Sequence, residues 1–132
     1  MAQAKGEFDV KVVPQTDPTE FEPAIGRMTI DKQFHGDLEA ISKGQMLSAM
    51  SSVKGSGGYV AIERVNGTLS GRRGTFVLQH IGTMDRGKPH LAITVVPDSG
   101  TDQLTGISGS LTIDIVEGKH FYAFEYTIAE NK

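Results

Sequence analysis

The 132-residue chain has no cysteine and no tryptophan. Without cysteine there can be no disulfide, no thiolate metal ligand and no thiol nucleophile. A reducing cytoplasm is compatible with that, and it is the compartment expected. Without tryptophan, the core has to be built from Phe, Tyr, Ile, Leu and Val. No apolar run approaches the ~18 residues needed to span a bilayer. The first ten residues, MAQAKGEFDV, lack the apolar segment of a secretory signal. No membrane partner is expected. Concentrated positive charge is missing as well. The formal net charge is −3, and Arg72-Arg73 is the one adjacent Lys/Arg pair. Nucleic-acid binders usually carry a basic stripe. A solvated turn accounts for this pair, so no nucleic-acid partner is expected.

Glycine, by contrast, is plentiful, with 16 residues. The apolar fraction of 38% and the charged fraction of 22% suit a globular chain of this size. Residues 1–132 read as a single domain with one core. Short alternating runs between glycine-rich turns point to an all-β fold.

Taken in order, Phe8, Val10 and Val12 alternate with Asp9 and Lys11, as in a half-buried strand. Residues 14–23, PQTDPTEFEP, hold three prolines and read as a loop. The next strand runs over residues 25–36, with Met28, Ile30, Lys32 and Phe34 sharing one parity, and Gly36-Asp37 turns the chain. Residues 38–53 read as a strand with a bulge at Ser42-Lys43-Gly44. Residues 91–96, LAITVV, are almost wholly apolar. Both faces of that strand are expected to be covered, in the interior or at a subunit contact. Residues 106–117 and 120–128 alternate again around Glu117-Gly118. That turn sets Tyr122 opposite Ile113 and Phe124 opposite Leu111.

The most informative stretch is residues 55–82, GSGGYVAIERVNGTLSGRRGTFVLQHIG. It reads as two long strands folded back on each other. Asn66-Gly67 and the segment SGRRG are both candidate turns. The second leaves strands of similar length. With Gly71-Arg72 at its centre, His80 lies opposite Glu63, Leu78 opposite Val65 and Gly82 opposite Ala61. Directly opposed side chains have Cβ atoms about 4.5–5.5 Å apart. Glu63 and His80 then meet on a face that is otherwise apolar.

About eight antiparallel strands in a short chain close most stably into a barrel, which removes exposed edges. A calycin-like barrel of this size is either filled by side chains or holds one small ligand. The motifs GSGGYVAIE, GTLSGRRGTFVLQHIG, VVPDSGTDQLTGISG and HFYAFEYTI, in that order, resemble a bacterial family known as domain of unknown function 3224. The resemblance runs from about residue 6 to residue 128. It implies an eight-stranded antiparallel β-barrel of the allene oxide cyclase class. Plant members of that class are oligomers that cyclise a fatty-acid epoxide. Their cysteine has no counterpart here, so that activity is not carried over.

The expected function is to bind an apolar or amphipathic small molecule inside the barrel. Tyr59, Phe76, Leu78, Tyr122, Phe124 and Tyr126 are the candidate ligand contacts. Glu63 and His80 are the candidate acid/base pair of an isomerase or cyclase. The competing readings make them a buried pair that fixes register, and make the tyrosines core aromatics. A scaffold with a filled core is the third possibility, and a homo-oligomer is compatible with all three. No HxH or HExxH spacing is present. A site of Glu63, His80 and His120 would need distant strands to converge, so neither metal nor cofactor is expected.

Overall fold

The computed structural model describes residues 2–15 and 25–129. It contains eight strands: β1 (Ala2–Gln15), β2 (Ile25–Gly36), β3 (Leu38–Met50), β4 (Gly57–Leu69), β5 (Arg72–Asp85), β6 (Lys88–Val95), β7 (Ile107–Val116) and β8 (Lys119–Ile128). They form a closed barrel in sequence order, with β8 returning to pair with β1. All pairings are antiparallel. Most of the expected loop at residues 14–23 lies outside the described residues, but Pro14 and Gln15 end β1.

Turn chemistry sets the register. The β4–β5 hairpin turns at Ser70-Gly71, with φ of 47° and 85°. Two positive φ values at the centre match the twist of the flanking strands, and glycine in the second position adopts one without strain. Arg86-Gly87 and Glu117-Gly118 use the same pattern. The expected centre, Gly71-Arg72, would put arginine where glycine is needed. The centre therefore sits one residue earlier, and every pairing slides by two. Ala61 opposes His80, Glu63 opposes Leu78 and Val65 opposes Phe76. A slide of two preserves parity, so each side chain stays on its expected face. The β7–β8 hairpin has the expected register, with Ile113 opposite Tyr122 and Leu111 opposite Phe124.

Two other expectations change. No bulge interrupts β3: Ser42, Lys43 and Gly44 pair continuously with both neighbours. Gly44 serves close approach instead, because a Cβ there would lie 2.7 Å from the Glu63 Cβ. Along residues 91–96, only Ile93 and Val95 are buried, while Leu91 is 46% exposed. A single face of that strand is covered within the chain.

The barrel is packed unevenly along its length. One end holds the β2–β3, β4–β5 and β6–β7 connections, and it is full. Phe76 stacks on Phe124 at 5.6 Å, Phe124 on Tyr126 at 5.3 Å, and Phe34 meets Tyr122 edge-on at 5.5 Å. The β6–β7 connection caps this end with a short 3₁₀ helix, Asp102–Leu104, whose Leu104 is buried. Thr101 and Gln103 hold the cap by accepting hydrogen bonds from the Thr75 and Arg73 amides. At the opposite end, with the β3–β4, β5–β6 and β7–β8 connections, the described residues leave space between them.

Candidate functional site

Four strands converge on one buried carboxylate. β4 turns Tyr59, Ala61 and Glu63 inward, β5 turns His80 inward, β2 contributes Lys32 and β3 contributes Ser42. Glu63 is completely buried, and Lys32, Ser42 and His80 are nearly so. Lys32 Nζ donates to Glu63 Oε2 at 2.8 Å and Ser42 Oγ donates to Oε1 at 2.6 Å. His80 Nε2 lies 2.5 Å from Oε2. Lys32 reaches across β3 because Ser42 and Gly44 leave a gap beside it. Its ammonium also sits 5.0 Å from the centre of the Phe8 ring and 5.7 Å from that of Phe34.

The electrostatics follow from this geometry. Burial pushes the Glu63 carboxyl upward. The His80 hydrogen bond, the Lys32 charge and hydrogen bond, and the Ser42 hydroxyl outweigh burial and bring it down to about 2. Glu63 is therefore ionised at neutral pH and can only accept. In the hydrogen bond between them, His80 Nε2 is therefore the donor. No hydrogen bond from a described residue reaches Nδ1. The same holds for the Tyr59 hydroxyl. Burial and the Glu63 charge raise the Tyr59 pKa. Its ring centre is 6.3 Å from that of His80.

Above this cluster the open end forms a largely apolar cavity of about 380 Å³. Met46, Met50, Tyr59, Gly82, Met84 and Leu91 line it, with Ser48, Thr83 and His90 among their neighbours. Gly82 is required there, because a Cβ would lie 2.3 Å from the Tyr59 ring. The ring lies against the glycine, and His80 is the next inward residue along β5.

The structure brings Glu63 and His80 together as diagonal neighbours rather than as a directly opposed pair. Of the six expected ligand contacts, Tyr59 lines the mouth cavity. Phe76, Leu78, Phe124 and Tyr126 are buried in the packed half. Tyr122 is buried beside them, and its hydroxyl accepts from the Leu38 amide and donates to the His35 carbonyl, both at 2.9 Å. That hydroxyl ties β8 to the β2–β3 turn. Sequence reasoning did not pick out Lys32 or Ser42. Lys32 carried a signal, as the charge on an inward face between Ile30 and Phe34. Ser42 was hidden by the bulge assignment. His120 packs on Phe8 at 5.2 Å, on the far side of Lys32 from His80. Among the described residues, no cluster of three His, Cys, Asp or Glu could hold a metal ion. None of the described helices is long and apolar enough to cross a membrane.

A family model described as "Protein of unknown function (DUF3224)" matches residues 4–126. The chain is also similar to a solved crystal structure, that of a protein with unknown function from the DUF3224 family of Shewanella oneidensis MR-1. The two are 49% identical, the match covers 99% of each chain, and the TM-score is 0.93. None of the curated proteins matches. The likeness to the allene oxide cyclase class draws no support from these matches beyond the eight-stranded closed barrel.

Proposed function

This chain belongs to the DUF3224 family, and from that premise we propose that its barrel binds a small apolar or amphipathic molecule at the open end. The observation that carries this reading is the apolar cavity of about 380 Å³ set over a buried polar cluster. Ligand sites are typically ~300–1,000 Å³, apolar, and furnished with a few placed polar groups. Three of the five methionines in the chain line this one cavity. Flexible thioethers adapt to a guest at low cost. The test is titration with the uncharged fluorescent dye N-phenyl-1-naphthylamine. Emission should rise on binding to the natural protein, and Met46→Trp, which fills the cavity, should weaken binding at least tenfold while the circular dichroism is unchanged. No rise with the natural protein, or equal binding by the variant, would end this reading.

A second reading, isomerase or cyclase chemistry, is favoured by the orientation of His80. A buried carboxylate holds Nε2 while no described residue hydrogen-bonds Nδ1, which is the layout of a general base with its orienting partner. In that arrangement His80 moves the proton. Glu63, saturated with three hydrogen bonds and out of reach of a ligand, is a positioning residue. A proton-transfer activity should vanish in His80→Asn while dye binding persists. If turnover survived that change, His80 would not be the base.

A further inference from the structure

We propose that the seam between β6 and β7 is a side door to the cavity. Two unpaired strand edges part to pass the guest and zip together in one defined register to shut it in. The inference rests on the binding reading above and adds the route by which the guest enters.

The pairings come first. β6 pairs with β5 along its whole length, Lys88–Val95, and β7 pairs with β8 along Ile107–Val116. Between β6 and β7 the register holds only Ile93↔Leu111 and Thr94↔Ser110. Towards the β5–β6 and β7–β8 turns, residues 88–92 of β6 and 112–116 of β7 do not pair with each other. Each is a formed strand that lacks a described partner on one side. Pro89 fits that place, because a strand proline belongs at an edge, where its missing N–H breaks no ladder. The unpaired half of β6 is also cavity wall, since Pro89, His90 and Leu91 line the cavity. Leu91 and Ile115 share the inward parity of the buried Ile93 and Leu111, yet they are 46% and 65% exposed.

The two edges also match each other. Continued from Ile93↔Leu111, the register sets Leu91 opposite Ile113 and Pro89 opposite Ile115, all of them apolar and of inward parity. His90 falls opposite Asp114 on the outer face, an imidazole beside a carboxylate. Directly opposed pairs of both kinds stabilise a sheet. The strands thus carry the pairs of a closed seam, and the structure shows the parted state. Closure covers Leu91 and Ile115, and it removes the unpaired backbone that an edge offers to other chains. It also carries the wall of the cavity past Leu91 onto β7.

The natural chain has no cysteine, so His90→Cys with Asp114→Cys supplies the only two thiols. A disulfide needs Cα atoms about 4.4–6.8 Å apart, and opposed strand residues lie about 4.5–5.5 Å apart. The bridge therefore forms when the edges zip in the continued register. With diamide and dilute protein it should close within one chain, at least fivefold faster than in the out-of-register variant His90→Cys with Thr112→Cys. In stopped flow, N-phenyl-1-naphthylamine should enter and leave the bridged form, checked for folding by circular dichroism, at least tenfold more slowly than the reduced form. A second measurement needs no variant. In the natural protein, relaxation dispersion should show the amides of Leu91 and Ile113 exchanging between two states on the μs–ms scale of collective motions. Flat dispersion there, bridges between molecules, equal rates for the two cysteine pairs, or unchanged dye kinetics would each overturn the inference and leave the binding reading standing. A natural protein that binds no dye would remove the binding reading and the door with it, while the bridge and the dispersion would still report whether the edges meet.

Discussion

The two halves of this barrel are built from the same strands with the same inward–outward alternation, yet they do different work. In the closed half the inward positions carry Phe34, Leu69, Phe76 and Phe124, all essentially inaccessible. In the open half the corresponding positions carry Met46, Met50, Gly57, Gly82 and Met84, which leave space. Between them lies a layer of polar side chains, Lys32, Ser42, Glu63 and His80, in which each buried polar atom finds a partner or reaches solvent. Alternation reports which face a residue occupies. It does not report height along the barrel, and in this protein height separates structure from candidate function.

The sharpest way to break this comparison is in the polar layer. Lys32→Met leaves Glu63 buried without its cation, which should cost about 3–5 kcal/mol. Replacing both, Lys32→Met with Glu63→Leu, should recover much of that loss. Urea denaturation measures both, and a single-variant loss below about 1 kcal/mol would show that the layer is not the structural divide. Phe124→Ala tests the closed half. It should cost about 3–5 kcal/mol through lost contacts and an unfilled cavity. Dye affinity at the mouth should stay within twofold, whereas a large drop would mean that the halves are coupled.

The next effect is with pH. The Glu63 carboxyl is held at about 2 in the fold against an ordinary value of 4.5. A depressed carboxyl adds stability that is fully present above its unfolded value and is lost as pH falls through the folded one. That difference corresponds to roughly 3 kcal/mol, lost progressively between about pH 4.5 and 2. Denaturation midpoints measured across this window should fall for the natural protein and flatten in Glu63→Gln. An equal slope in both would place the acid sensitivity elsewhere. The smallest stability effect belongs to the mouth. Met50 is 61% exposed, so Met50→Ala should change stability by no more than about 0.5 kcal/mol while weakening dye binding severalfold. The reverse outcome, lost stability with unchanged binding, would make the mouth another piece of core.

Much of the architecture was legible in the amino-acid order. The eight strands, their closure into a barrel and the shared inward face of Glu63 and His80 follow from local patterns of period two and from turn residues. The β7–β8 register was legible because Glu117-Gly118 is a compact turn with one reading. The β4–β5 register was not, because SGRRG offers two centres, and only the positive φ values of Ser70 and Gly71 decide between them. Gly44 was read as a bulge because a glycine within a strand signals either a bulge or a close approach. Nothing near it in the chain says that Glu63 comes to rest against it.

From its sequence alone this protein is determined to be a closed antiparallel barrel with a titratable pair turned inward, because side-chain direction in a strand is a local property. Tertiary structure decided that Lys32, 31 residues away from Glu63 in the chain, neutralises that carboxylate across the gap left by Ser42 and Gly44. It also decided which half was filled and which was left open. Those outcomes depend on how four strands align in height, and that alignment is set by pairings and packing spread around the whole barrel rather than by any one segment.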